Sequence, residues 1–234
     1  MSKNNIKTSG FSLAKRKELT GDDFYEIKQY DDMTIAVLCD GVGSAQEGAL
    51  AAKRVTLHII NNFKNIPKIW SIEKAIKEFI NSINSILYTQ SIHEYERPEY
   101  ITTITVVVIK GNRLYGANAG DSRIYLLRDN KLNQLSYDHN EDGMPNVLSN
   151  AIGISPEVQI HYFENNIDTL KNKHKNQIEM SKKDLTYLVD VFKNFLEENI
   201  STTQTLKEIL HQPSDQNKDM IYFFHKILNF YLNT

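Results

Sequence analysis

A continuous apolar run, Ile35-Ala-Val-Leu-Cys39, stops at Asp40 and gives way at once to Gly41, Val42, Gly43 and Ser44. An Ala- and Leu-rich stretch follows from Gln46. The run has the length of a buried strand, the glycines mark a turn, and the residues after them have the composition of a helix. This succession constrains the chain more than any other feature. A carboxylate where a buried strand emerges into a Gly-rich turn is held rigidly while it faces solvent, which suits a metal ligand. It suits equally well a helix cap or a turn former, both common uses of Asp. The stretch alone does not choose between them.

Its flanks extend the pattern. Gly21-Asp22-Asp23 precedes Phe24-Tyr-Glu-Ile-Lys28, where apolar and polar residues alternate, and Asp31-Asp32 is a turn signal, so a hairpin with the 35–39 strand is predicted. Such pairing brings Asp22 and Asp23 near Asp40. Leu50, Val55, Leu57, Ile59 and Ile60 predict a helix over 47–63, broken by Pro67. Ile72, Ile76, Phe79, Ile80, Ile83, Ile86 and Leu87 recur at helical spacing and predict a second, with Ser71 as its N-cap. Pro98 closes the next loop. Residues 101–109 are almost all β-branched and predict a strand, turned by Gly111-Asn112 into a return over 113–119. Gly120-Asp121 reads as a second turn, 122–128 as another strand, and Asp129-Asn130 as a turn into 131–135. Short turns between consecutive strands predict antiparallel pairing. A helix pair followed by a meander is an α+β pattern.

The chain then loosens. Residues 147–153 read as a short helix and 157–163 as a strand, and 165–179 are polar, with Lys171, Lys173, His174 and Lys175. Leu185, Leu188, Val189, Phe192 and Leu196 mark a third helix, 206–210 a shorter one, and 221–231 a final strand or helix. No repeat or linker divides the 234 residues, so one domain over 1–234 is expected, with a mobile polar stretch at 1–10.

Composition removes several classes. Net charge is −2, which gives no field directed at nucleic acid. The one cysteine, Cys39, excludes an internal disulfide framework, suits a reducing compartment, and sits in the apolar run as a core residue. The first residues lack the apolar core of a signal peptide and no apolar segment has spanning length, so a cytoplasmic, non-membrane protein is expected. Gly41-x-Gly43 lacks the third Gly of a dinucleotide fingerprint, and Gly43-x-x-x-x-Gly48 is followed by Ala49 instead of the Lys of a P-loop. What remains is a set of carboxylates at strand ends: Asp22, Asp23, Asp40, Asp121, Asp138 and Asp219. Mg²⁺ and Mn²⁺ take such oxygen ligands, and two ions about 3.5–4 Å apart clamp a phosphate and supply a nucleophile. Turn formation explains the same Asp residues one by one, Asp121 and Asp138 in particular.

The order of the motifs carries more than any single one. Asp-Gly-Val-Gly at 40–43, a helix, Thr102-Thr103 at the head of a strand, Gly120-Asp-Ser-Arg123, Gln134-Leu-Ser-Tyr-Asp-His139 and Asn150-Ala-Ile-Gly153 follow in that order. The series resembles the metal-dependent protein phosphatase 2C family from about Gly21 to about Phe163. The resemblance implies a four-layer α-β-β-α sandwich of two antiparallel sheets flanked by helices. It implies a protein phosphatase acting on phosphoserine and phosphothreonine through two Mn²⁺ or Mg²⁺ ions, or fewer. The family's bridging metal Asp and its carbonyl-donating Gly fall on Asp40 and Gly41, and its early acidic pair, which holds metal-bound waters, on Asp22 and Asp23. The Asp associated with a third metal falls on Asp121, and the last ligand on Asp219, or less well on Asp215. Asp40 and Asp23 are the residues to which catalysis is assigned. The implied partner is a phosphoprotein, the target of a cognate kinase, and the implied state a monomer. His58 and His139 are candidates to protonate the leaving oxygen, with His58 read as structural because it lies in an amphipathic helix.

The sequence also departs from the family. Where the family carries a phosphate-binding Arg, five residues before the second acidic residue, this chain has Glu18, with Arg16 and Lys17 near it. Ile101 replaces the Gly before the Thr pair. Between Asp168-Thr-Leu170 and Met180-Ser-Lys-Lys-Asp-Leu185 the family has Ser-Asp-Gly, whose Asp is a metal ligand; this chain has no Asp-Gly there, and His174 and Glu179 are the only substitutes. A second reading follows from that loss: a degenerate, weak or inactive phosphatase-like domain that binds a phosphoprotein or regulates a partner. A third is a metal-dependent hydrolase of another phosphoester, such as a nucleotide.

Overall fold

A computed structural model of the chain describes residues 6, 8, 10, 21–30, 32–128, 131–167 and 220–224. In chain order these form β1 (Asp23–Gln29), β2 (Met33–Asp40), α1 (Gly48–Phe63), α2 (Ile72–Tyr95), β3 (Ile104–Lys110) and β4 (Arg113–Ala119). After them come β5 (Arg123–Arg128), β6 (Lys131–Gln134), β7 (Asn140–Glu141), β8 (Met144–Leu148), β9 (His161–Asn166) and β10 (Met220–Phe224). One antiparallel sheet has the order β1-β2-β3-β4-β9, a second the order β10-β5-β6, and β7 pairs with β8 in a small hairpin.

The β-branched run of β3 shows why the chain layers as it does. Successive side chains of a strand point to opposite faces, and here both faces are apolar. Ile104, Val106 and Val108 join the buried cluster that holds Ile35, Val37 and Cys39 of β2 with Val55, Ile59 and Phe63 of α1 and Ile76, Ile80 and Leu87 of α2. Val107 and the partly buried Ile109 enter a second cluster with Leu114 of β4, Ile124 and Leu126 of β5, and Ile167. The five-stranded sheet is therefore covered by α1 and α2 on one side and by the second sheet on the other. This is an α+β sandwich, as the motif order implied. Each fully buried aliphatic chain contributes about 1.5–3 kcal/mol, so the helix-side cluster is the larger source of stability. The helices expected over 185–196 and 206–210, and the polar 165–179 stretch from residue 168 onward, lie outside the described residues.

Local signals set the element ends. The Ser71 hydroxyl accepts the Lys74 N–H at 3.1 Å and starts α2. Glu96, at φ 58°, ends α2 by donating its N–H to the Ile92 carbonyl, and Pro98 follows. Cys39 is fully buried and burial pushes its thiol up to about 12, so it is an inert core residue.

Four sequence expectations are corrected. Gly120-Asp121 is not a hairpin turn: β4 and β5 belong to different sheets, because Ile124 and Leu126 must face the core between the sheets. Residues 147–153 are not a helix; β8 ends at Leu148 and a loop follows. Long-range partners take the backbone groups that a helix would use. Thr102 and Ile152 exchange two backbone bonds at 3.1 and 2.9 Å, and the Asn150 amide pairs with the backbone of Gln159 at 2.7 and 3.0 Å. The strand expected over 157–163 runs over His161–Asn166, since Val158 and Ile160 pack against the helix-side core. The strand expected from 101 begins at Ile104. Of the ambiguous 221–231 segment, the described part is a strand.

Two side chains tie the helices down. Asn84 of α2 is almost fully buried; its Oδ1 accepts the Gly153 N–H at 2.8 Å and its Nδ2 donates to the Ser155 and Pro156 carbonyls, both at 3.1 Å. His58 of α1 meets the Ser82 hydroxyl of α2 at 2.9 Å. Asn84→Ala leaves the buried Gly153 N–H and the less buried Ser155 and Pro156 carbonyls without this partner and is expected to cost about 1–3 kcal/mol, read as a shift in urea midpoint at constant slope. Burial also holds the His58 imidazole below its usual 6.5, opposed by a backbone contact to Phe79. The folded state then binds fewer protons than the unfolded state. Its stability is complete above pH 6.5 and falls as pH drops through the lower folded value. Urea midpoints measured from about pH 7.5 to pH 5 should fall less steeply in His58→Gln than in wild type.

Candidate metal centre

Antiparallel pairing brings Asp22, Asp23, Asp40 and Gly41 to one end of the five-stranded sheet. β1 begins, β2 ends, β3 begins and β4 ends there. Asp23 stands opposite Asp40 in the β1–β2 register, and the Gly41 N–H donates to the Asp22 carbonyl at 3.0 Å. Gly41 forms an isolated bridge with Thr102, which bridges in turn to Ile152. The β4–β5 crossover, with Gly120, Asp121 and Ser122, sits at the same end.

Asp40 is held through its backbone. Its N–H donates to Thr103 Oγ1 at 3.1 Å, and its carbonyl accepts from the Thr103 N–H at 2.9 Å and from Thr102 Oγ1 at 2.8 Å. The residue is only 6% exposed. The turn after it is strapped to the segment between α2 and β3. The Val42 N–H donates to the Ile101 carbonyl at 3.0 Å, the Glu47 N–H to the Glu99 carbonyl at 3.2 Å, and the Gln46 N–H to the Glu99 carboxylate at 2.7 Å. That bond, helped by Arg97, holds the Glu99 carboxyl below its ordinary value. The turn closes tightly on α1: a Cβ at position 41 would lie 2.4 Å from the Gly48 carbonyl. Only glycine fits there. Asp22 faces the same turn, its Oδ2 lying 3.3 Å from where a Cβ on Gly43 would stand.

The Asp121 turn is clamped by the segment after β6. The Gly120 N–H donates to His139 Nδ1 at 3.2 Å, and the His139 N–H returns a bond to the Gly120 carbonyl at 3.1 Å. Ser136 Oγ accepts the Ile124 N–H at 2.9 Å. Arg123 Nε donates to both oxygens of Asp138, at 3.0 and 2.8 Å, and Gln134 adds a bond at 3.1 Å. Asp138 is therefore an ion-pair partner, and its place among the candidate ligands is withdrawn. His139 is buried, with Nδ1 engaged by Gly120, and serves to shape the turn. His58 lies between α1 and α2, as a structural residue should.

The side chains in question at this end are carboxylates, oxygen donors of the kind that a hard divalent cation takes while keeping several of its waters. Among the described residues no three His, Cys, Asp or Glu side chains converge as a ready cage. Asp219 lies outside the described residues. Its neighbour Met220 stands opposite Leu127, the end of β5 farther from Asp121, while Phe224 stands opposite Arg123. The sequence reading missed the Glu99 strap and the Arg123–Asp138 pair. An acidic residue just ahead of a β-branched strand, and opposite charges flanking one hairpin, were the available signals.

A family model described as protein phosphatase 2C matches residues 12–210, and the chain belongs to that family. It is similar to the serine/threonine phosphatase stp of Listeria welshimeri, 27% identical over 155 residues, covering 57% of this chain and 61% of that protein. It is also similar to the probable protein phosphatase 2C 69 of Arabidopsis thaliana, 32% identical over 143 residues, covering 61% of this chain and 40% of that protein. The chain thus matches about six tenths of the Listeria relative's length and less of the plant one. Among solved structures, the serine/threonine phosphatase Stp1 of Staphylococcus aureus superposes with a TM-score of 0.57 at 20% identity, over 79% of this chain and 94% of that one. The catalytic domain of the phosphatase PstP, solved with two manganese ions, superposes with a TM-score of 0.51 at 23% identity, over 63% of this chain and 66% of that one. At such identities the structural likeness is one of fold.

The clamp on the Asp121 turn can be tested directly. Arg123 and Asp138 are 18% and 21% exposed, so Asp138→Ala strands a half-buried guanidinium. A loss of about 2 kcal/mol is expected in urea denaturation, below the range for fully buried pairs. A loss under about 0.5 kcal/mol would mark the pair as an ordinary surface contact.

Proposed function

We propose that this chain is a metal-dependent protein serine/threonine phosphatase that hydrolyses phosphomonoesters at the sheet end built around Asp40. The observation that carries the reading is the register pair Asp23–Asp40, with Gly41 beside it, in a member of the protein phosphatase 2C family. Asp22, Asp23, Asp40, the Gly41 carbonyl and Asp121 would hold Mn²⁺ or Mg²⁺, two ions at full occupancy. When bound, such ions supply Lewis acidity to phosphoryl oxygens and make a water a competent nucleophile near neutral pH. Asp40, fixed by three bonds to its backbone, holds its carboxylate in one place; Asp23, facing it across the β1–β2 ladder, orients water on the same side. The substrate is a phosphoserine or phosphothreonine protein, the target of a cognate kinase, and the chain acts as one monomeric domain over 1–234. No described helix is long and apolar enough to cross a membrane.

The absence of Asp-Gly between residues 168 and 185 favours the second reading, a phosphoprotein-binding domain without turnover. Hydrolysis of an aryl phosphate and of a phosphothreonine peptide over a range of Mn²⁺ concentrations separates the two. Wild type should turn over both, and Asp40→Ala should lose about a thousandfold in kcat/KM, equivalent to about 4 kcal/mol of transition-state stabilisation. Binding of the peptide with no turnover at any Mn²⁺ concentration would replace the phosphatase by the binding domain.

A further inference from the structure

Thr103 stands where two strand registers cross. Continuing the β2–β3 pairing by two places puts it opposite Asp40, and continuing the β3–β4 pairing by one puts it opposite Gly120. Its Oγ1 accepts the Asp40 N–H at 3.1 Å and shares a 2.8 Å hydrogen bond with Ser122 Oγ. Thr103 and Ser122 are 0% and 1% exposed. The contact with the turn is close: a Cβ on Gly120, whose φ is +115°, would lie 2.6 Å from Thr103 Cβ. Strand formation does not call for this hydroxyl, because valine has the same shape and a high strand preference. Within β3 the chain uses Val106, Val107 and Val108. What the hydroxyl adds at 103 is a link between the last residue of β2 and the residue after Asp121, two segments that share no direct ladder.

We propose that Thr103 and Ser122 are positioning residues whose hydroxyl pair locks the Gly120–Asp121 turn against the end of β2, so that Asp121 and Asp40 keep one separation when a divalent cation is taken up. The proposal rests on the reading of Asp40 and Asp121 as metal ligands. Neither hydroxyl is assigned to the cation itself; each acts through the backbone of a neighbour. Groups of this kind, one layer outside the ligands, typically change metal affinity by about 10–100-fold when removed. The pair works as a unit, since Thr103 Oγ1 already accepts from Asp40 and meets Ser122 with its remaining capacity.

The test uses the full chain as wild type, Thr103→Val, Thr103→Ser, Ser122→Ala and the double variant T103V/S122A, with two measurements. In the metal-free protein, amide hydrogen exchange at Asp40 should speed up at least about tenfold in Thr103→Val relative to Val106 and Val108, which report general destabilisation. Thr103→Ser should keep the wild-type protection. Unchanged protection of Asp40 overturns the lock. In calorimetric Mn²⁺ titrations, Thr103→Val and Ser122→Ala should each weaken binding by about 10–100-fold, Thr103→Ser should stay near wild type, and the double variant should lose no more than the worse single one. Equal affinities throughout, or additive losses in the double variant, overturn the proposal. A wild type that takes up no Mn²⁺ overturns the phosphatase reading and the metal half of this one, while the exchange rates still decide whether the hydroxyls fix the turn.

Discussion

The hydrogen bonds that Thr102 and Thr103 make to the Asp40 backbone set the geometry of the whole ligand-bearing end. Asp40 ends a strand that is buried on both sides, and beyond it the chain must reverse over α1. A backbone that leaves a sheet loses its ladder partners, and buried N–H and C=O groups without partners are costly. Thr103 takes over that role with one side-chain and one main-chain bond, and Thr102 adds a third. The strap continues through Ile101 and Glu99, which satisfy Val42, Gln46 and Glu47. Asp40 therefore sits in a turn with the order of a strand. That is the condition for a metal ligand whose position does not have to be fixed anew on binding.

The division of β3 between two cores depends on the same residues. Because Thr103 is drawn to Asp40 on one side and Gly120 on the other, β3 enters the sheet in one register only. A slip by one place would exchange Val106 and Val108 with Val107 and move each set to the wrong core. The β4–β5 connection then has to leave the sheet at Gly120, because Ile124 and Leu126 belong to the core between the sheets. The Gly-Asp-Ser-Arg motif is thus a crossover between layers. Its Ser points back to Thr103 and its Arg forward to Asp138.

Much of this was legible in the sequence, and the reasons are local. The β1–β2 hairpin, both helices, the Ser71 cap and the β3–β4 and β5–β6 pairings follow from periodicity and turn residues that act within a few positions. The motif order placed Asp40, Gly41 and the Asp22–Asp23 pair on adjoining strand ends, where Asp23 and Asp40 do stand opposite one another. Residues 147–153 read as a helix in sequence, but the hydrogen-bond partners of Ile152 and Gly153, Thr102 and Asn84, come from 50 or more residues away. The β4–β5 turn was misread for a related reason: a Gly-Asp pair signals a reversal, and only the burial of the next strand tells a hairpin from a change of sheet. Asp138 stands at a strand end as the other carboxylates do, and the guanidinium beside it makes it an ion-pair partner.

Charge placement separates the two halves of the site. On the Asp121 side the nearby cation, Arg123, is spent on Asp138, where two Nε contacts hold the crossover to the segment after β6. On the Asp40 side the basic residue closest along the 99–103 strap, Arg97, is turned to Glu99, which in turn receives the Gln46 N–H. Both guanidiniums thus serve carboxylates that shape the backbone, while the β1–β2 register sets Asp23 opposite Asp40. Carboxylates brought together by strand pairing repel one another, and that cost is opposed by ladder hydrogen bonds and by the two cores beneath them. On the proposed reading a divalent cation would relieve that repulsion in the folded state only, because the unfolded chain does not hold Asp23 opposite Asp40. Folding and the proposed metal uptake at this end of the sheet would then be coupled through one free energy.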